Sequence, residues 1–296
     1  MEIVHHKNVF ISSETDRTGD GESVHVLFPP DAFSTHDKDE LMRLTLNSFT
    51  MRRNFYAINE HNNVFYSGAA VGTKTNTYTI PSGDYTATEL AIEISNATIA
   101  TSCTFDSKSR KFTITKTLTS NHFFWSDSDL DTHEILGGTP DKLFDDSGSG
   151  THISKFPIQL DSISDVYIRS SLQSSNFMTN KGNNHLGNCN IFARIPLYRA
   201  GSTLADTNVV KFEDSNDLYS IYIPNHQLNN VRFFITDDKE RPLPVTRAQK
   251  LAHNLNFKMT FKFEILRPSQ HAIAPPPPLP YIQNERQLVE LRNDRF

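Results

Sequence analysis

From Leu255 to Ile265, in the run that ends at Leu266, apolar and polar residues alternate without a break. Leu255, Phe257, Met259, Phe261, Phe263 and Ile265 share one parity, and Asn256, Lys258, Thr260, Lys262 and Glu264 share the other. Successive side chains of an extended chain point to opposite faces, so this run predicts a long strand with one buried and one solvated face. The same period recurs at Val24/Val26/Phe28, Met42/Leu44/Leu46, Val166/Ile168, Ile191/Ala193/Ile195, Tyr219/Ile221/Ile223 and Val231/Phe233/Ile235. Turn-rich stretches separate these runs, and Pro157, Pro196 and Pro224 stand where strands should begin or end. About eight short antiparallel strands predict a β-sandwich.

Residues 75 to 145 follow another pattern. Tyr78-Thr79-Ile80 predicts a strand, closed by the turn Pro81-Ser82-Gly83-Asp84. Thr86 and Glu89 then have the spacing of a capping box, with Tyr85 and Leu90 at the positions of a hydrophobic staple. Leu90, Ile94 and Ala97 fall on one face of the short helix that follows. A hairpin comes next: Cys103 to Phe105, a turn at Asp106 to Ser109, and Lys111 to Thr117. This β-α-β-β unit sits between strands of the other kind and is expected to be an insertion in a sandwich loop.

Both ends of the chain depart from the strand pattern. Residues 1–20, with His5-His6, are expected to form an N-terminal arm that is disordered or bound to a partner. At the other end, Pro268 follows the strongest strand, and Pro cannot continue a central ladder. Pro275, Pro276, Pro277, Pro278 and Pro280 predict a semi-rigid polyproline segment about 18 Å long at roughly 3.1 Å per residue. Beyond it, Tyr281, Ile282, Leu288, Val289, Leu291 and Phe296 are too apolar for a solvating tail and too few to fold alone. Residues 268–296 are therefore expected to anchor the chain to another subunit.

Composition narrows the function. The net charge is −5, with no basic face of the kind that binds nucleic acid. Residues 120–150 carry seven acids and one base, so the rest of the chain is close to neutral. Two cysteines without a CxxC pair suit a reducing compartment. The N-terminus lacks the pattern of a signal peptide, and no apolar run approaches the roughly 20 residues of a membrane span. Catalytic signatures fail one by one. Gly137 stands where the second histidine of an HExxH would follow His133-Glu134, and neither a nucleophile elbow nor a phosphate loop occurs. The alternate aspartates Asp127, Asp129 and Asp131 begin like a calcium loop, but Thr132 and Gly138 occupy the positions that need Gly and Glu. No cofactor, metal site or enzymatic activity is expected.

Several segments, by their order and spacing, resemble the penton-type and minor capsid proteins of double-jelly-roll DNA viruses: virophages, polinton-like viruses and their large-virus relatives. They are Leu44 to Phe49 with Asn54 to Asn59, Tyr78 to Thr86, Ile135-Leu136-Gly137, Val166 to Leu172 and Ile195-Pro196-Leu197. The resemblance implies a single jelly roll with an inserted domain; together with the residue patterns above, the expected fold is a mainly β protein, an antiparallel jelly-roll sandwich with a small inserted β-α-β-β lobe and an extended C-terminal tail, the tail resting on its own residues and not on the resemblance. The expected boundaries are 21–70 and 151–267 for the jelly roll, 71–150 for the lobe and 268–296 for the tail. The implied function is a virion structural protein, the vertex (penton) protein that closes an icosahedral capsid as a homopentamer packed against major capsid proteins. Inner minor capsid proteins are further expected partners of the tail. The alternatives are a receptor- or glycan-binding spike or fibre, and a peripheral minor capsid protein.

Overall fold

A computed structural model of the chain describes residues 1–13, 23–30, 32–35, 37–98, 101–116, 123–146, 150–160, 163–181, 185–197, 209–214, 216–223, 227–244 and 256–268. The first three strands are β1 (Glu2–Ser12), β2 (Ser23–Leu27) and β3 (Leu41–Arg52). A mixed region follows, with β4 (Val64–Gly68), β5 (Asn76–Thr79), α1 (Ala87–Ala97), β6 (Thr101–Asp106), β7 (Lys111–Lys116), β8 (Phe123–Trp125), α2 (Thr132–Leu136), β9 (Phe144–Asp146) and β10 (Thr151–Ser154). The chain then returns to strands alone: β11 (Asp165–Lys181), β12 (His185–Pro196), β13 (Val209–Glu213), β14 (Ser220–Ile223), β15 (Asn230–Thr236) and β16 (Phe257–Arg267).

Two antiparallel sheets form the sandwich. One has the order β1-β16-β3, with β13 and β14 pairing successive halves of the same β3 edge. The other has the order β12-β11-β15-β2. With β13 and β14 taken as one interrupted strand, and the sandwich strands numbered along the chain, the orders are 1-8-3-6 and 5-4-7-2. That is the double Greek key of a jelly roll. The first strand in this count is β1. Residues 2–12, expected as an arm, pair along β16 from Glu2↔Arg267 to Ser12↔Lys258. Their short alternation hid this, because only Val9 and Ile11 of the strand pack against or within the core.

The alternating positions fill the space between the sheets. Phe257, Met259, Phe261 and Phe263 of β16 are buried, as are Val231, Phe233 and Ile235 of β15. Rings from both sheets meet at the centre: Phe261 stacks on Phe233 with centroids 4.7 Å apart, and Phe192 meets both edge-on at 5.4 and 6.1 Å. Strand β3 keeps a buried face although its period slips. Leu46 and Phe49 are both buried, three residues apart, because Asn47 is an extra residue opposite the Thr260/Phe261 step of β16. The bulge returns Phe49 and Met51 to the core and presents the Asn47 carbonyl to the Asp214 backbone N–H at 2.8 Å. The polar face of β16 is less solvated than its pattern suggests. Glu264 is buried because Arg43 of β3 covers it at 2.6 Å, with Lys262 beside it at 3.5 Å.

A second core lies apart from the first. It gathers residues from Ile58 to Ile158, among them Phe65, Ile80, Leu90, Ile94, Phe112, Phe124 and Leu136. The β-α-β-β sequence is present as β5, α1, β6 and β7, and Thr86 and Glu89 form the capping box. The helix buries Leu90, Ala91 and Ile94, so Ala91 rather than Ala97 completes its apolar face. Around this unit stand strands that the sequence reading gave to the sandwich. Strand β4 pairs with β5 and β8, and β10 pairs with β7 and β9. The second core therefore reaches beyond 71–150 at both ends.

The ring cluster predicts a sharp contrast. Phe261→Ala should lower the unfolding free energy by about 3–5 kcal/mol, the cost of a large cavity in a close-packed core. Phe10→Ala, at an exposed position of β1, should change it by no more than about 0.5 kcal/mol. Denaturant titration followed by tryptophan-independent far-ultraviolet dichroism measures both.

Candidate functional site

Two surfaces stand out, and neither resembles a catalytic pocket. The first joins the two cores. The loop after β15 is organised by the buried Asp237, which accepts from the backbone N–H groups of Lys239 and Arg241 at 2.9 and 2.8 Å. It also accepts from the Arg241 Nε at 2.8 Å. This loop presents both cations to Asp131, the residue before α2. Lys239 Nζ donates to one carboxylate oxygen and Arg241 Nη2 to the other, each at 2.5 Å. Lys239 also reaches Glu134 at 3.2 Å, and the Asp131 backbone N–H donates to the His61 carbonyl at 2.8 Å. Burial disfavours charge on Asp131, but the two cations outweigh it and hold its carboxyl below the ordinary aspartate value.

The second surface is the open side of the sandwich. Among the described residues, β1 and β2 each pair on one side only. A cleft of about 310 Å³ lies between them, lined by Phe10, Ile11, Ser12 and residues 24–27. Two apolar residues on its rim, Phe10 and Leu27, are 65% and 72% exposed, beside the polar Ser12 and His25. Ile3 and Val4 are also exposed at the start of β1, separated from Phe10 by the polar run His5 to Asn8.

The chain is similar to two solved virophage structures. One is the crystal structure of selenomethionine-labelled mavirus penton protein, at 14% identity, covering 88% of this chain and all of that one, with a TM-score of 0.48. The other is a chain of the Sputnik virophage structure, at 11% identity, covering 90% and 98% respectively, with a TM-score of 0.37. No protein-family model matches the chain, and no curated protein matches it.

The residues that the sequence offered for chemistry have structural partners. Burial pushes the Cys103 thiol up to about 12, so it is protonated at neutral pH and packs in the second core. His133 and Glu134 lie 4.0 Å apart on α2, and the His133 Nδ1 is 3.0 Å from the Leu130 carbonyl. Asp127 and Asp131 do not converge on a common point. Asp127 accepts from the Tyr66 hydroxyl at 2.7 Å and from Lys74 at 3.1 Å, whereas Asp131 holds the junction. Among the described residues no group of three His, Cys, Asp or Glu side chains is placed to hold a metal, and no helix is long and apolar enough to cross a membrane. The expected partner-binding residues Pro275, Pro276, Pro277, Pro278, Pro280, Tyr281, Leu288, Leu291 and Phe296 lie outside the described residues, as does the side chain of Cys189.

Lys239, Arg241, Phe10 and Leu27 were not singled out by sequence. A lone Lys or Arg in a turn carries no signal until its distant partner is known. Phe10 stood in a segment whose strand character was hidden.

The junction should respond to acid. The folded pKa of Asp131 is depressed, so its contribution is complete above the unfolded value near 3.9 and is lost as pH falls through the folded value. Asp131→Asn should weaken the junction by about 1–3 kcal/mol, since the aspartate is buried but Lys239 is 40% exposed. Hydrogen exchange at neutral pH should quicken in residues 237–241 and 131–135 and stay unchanged in β3 and β16. Uniform quickening across the sandwich would show that the pair supports the whole fold instead.

Proposed function

We propose that this chain is a virion structural protein of the penton type, which forms a homopentamer at capsid vertices and packs against major capsid proteins. The jelly-roll strand order carries the reading, because the lobe is spliced between the third and fourth sandwich strands, β3 and β11. The segments whose order resembles penton-type proteins begin in β3, run through the lobe and end at β12, so the resemblance follows this architecture and is not confined to one motif. In this reading the sandwich comprises residues 1–57 and 159–267, and the lobe comprises 58–158, each around its own core. Residues 268–296 leave β16 and anchor the protein on a neighbouring subunit. Charge suits the role: an acidic lobe repels its copies, while the near-neutral remainder permits close packing.

Two measurements test this. Native mass spectrometry of the purified chain should give five copies, and imaging of particles should place it at the five-fold vertices. A monomer at every concentration, together with a position away from the vertices, is incompatible with the proposal. Deleting residues 275–296 should leave the midpoint of thermal unfolding unchanged and abolish incorporation into particles. Normal incorporation would remove the anchoring role, and loss of folding would make the tail part of the core.

A further inference from the structure

We infer that the turn after β15, residues 237–241, couples the inserted lobe to the root of the β11–β12 hairpin, so that the two are set together. The inference concerns contacts within one chain and does not depend on the vertex reading.

The hairpin needs a hold at its root. Strand β11 pairs with β15 only from Tyr167 to Ser170, whereas its pairing with β12 runs on to Lys181↔His185. Among the described residues the part beyond Ser170 is a two-stranded ribbon, and such a ribbon is marginal by itself. Arg169 stands where the ribbon leaves the sandwich. It pairs with Phe234 of β15 and with Ile191 of β12, and the β11–β12 register shifts on both sides of it. Its side chain is buried and reaches three elements. The Nε donates to the Thr236 Oγ1 at 2.9 Å, and the Nη1 donates to the Asn190 Oδ1 at 2.6 Å. The same Nη1 lies 3.0 Å from the Glu240 carboxylate. A buried cation requires a counter-charge, and among the described residues Glu240 is the acid that pairs with Arg169.

The turn that carries Glu240 is also the one that holds the lobe. Lys239 and Arg241, on either side of Glu240, pair with Asp131. Adjacent side chains thus address different partners, 239 and 241 the lobe and 240 the hairpin root. The turn is not free to swivel between them. A bridge between Thr236 and Pro242 closes its base, and the Asp237 backbone N–H donates to the Arg241 carbonyl at 2.9 Å. The buried Asp237 carboxylate holds the backbone N–H groups of Lys239 and Arg241. Glu240 itself has φ 65°, in the left-handed region that residues other than glycine rarely enter. Such a conformation persists where the surroundings over-determine it, and here the pairs on both sides do so. Moving the lobe displaces Lys239 and Arg241, turns Glu240 from Arg169 and leaves a buried cation uncompensated. By linkage the reverse holds, and a partner that steadies the hairpin also steadies the lobe. The attachment of the lobe therefore extends through the turn to the root of the hairpin.

Glu240 is 66% exposed, so two weak and independent pairs are the competing outcome. Native-state hydrogen exchange on the full chain, read amide by amide, separates them. Glu240→Gln removes the pair with Arg169 and leaves Lys239 and Arg241 in place. It should quicken exchange about 5-fold at Arg169, Ser170 and Ile191, and by a comparable factor at Glu134 and Ile135 across the turn. Asp131→Asn should act in the opposite direction, quickening 169–170 and 191 as well as 131–135. The double variant should show less than the product of the single effects, as groups in one network do. Glu240→Gly adopts the same φ without strain, so it should match Glu240→Gln, and it takes that variant's place if Glu240→Gln does not fold. A double variant equal to the product, or a Glu240→Gln effect that stops at the hairpin root, would overturn the coupling. So would equal quickening in β3 and β16, which would mark a loss of stability throughout the sandwich.

Discussion

The contact between Phe261 of one sheet and Phe233 and Phe192 of the other sets the terms for the sandwich. Rings that meet at 4.7 to 6.1 Å leave no room for a change of register on either side. A shift of one residue in β16 would turn Phe257, Met259, Phe261 and Phe263 to the outer face and bring Lys258, Lys262 and Glu264 into the core. The bulge at Asn47 follows from the same demand. Strand β3 carries one residue too many for its partner, and looping out Asn47 keeps Phe49 and Met51 inside.

The two cores are joined by different physics. Within each core, apolar burial is non-directional and adds up over many contacts. Between them, the contacts are directional: two cations from one short loop on one buried carboxylate, with the His61 Nε2 3.4 Å from the Pro242 carbonyl of the same loop. Such a junction fixes orientation while adding little to the stability of either part. It suits a lobe that must be presented at a defined angle, and it confines the effect of a mutation there to the attachment.

Among the described residues each sheet of the sandwich ends in a strand paired on one edge only, at both of its sides. Among the described residues the inner strands pair on both edges, β12 and β13 close one side, and β1 and β2 on the other hold Phe10 and Leu27 at the surface. For a lone soluble protein this edge is a liability.

Which residues face inward within each strand is legible in the chain alone, because a period of two is a local property of an extended chain. The runs at Phe257 to Ile265, Val231 to Ile235 and Met42 to Leu46 needed no partner to be legible. The capping box at Thr86 and Glu89 was legible too, because its two hydrogen bonds lie within three residues. Tertiary structure decided what depends on distant pairs. It made residues 2–12 the first strand of the jelly roll, since β16 supplies the pairing that their composition does not announce. It moved β4 and β10 from the sandwich to the lobe, since their hydrogen-bonding partners lie there and alternation is the same in either sheet. It also joined Asp131 to Lys239 and Arg241, more than a hundred residues away. Local pattern fixes the face of a side chain, but only the folded chain fixes which neighbour that face meets.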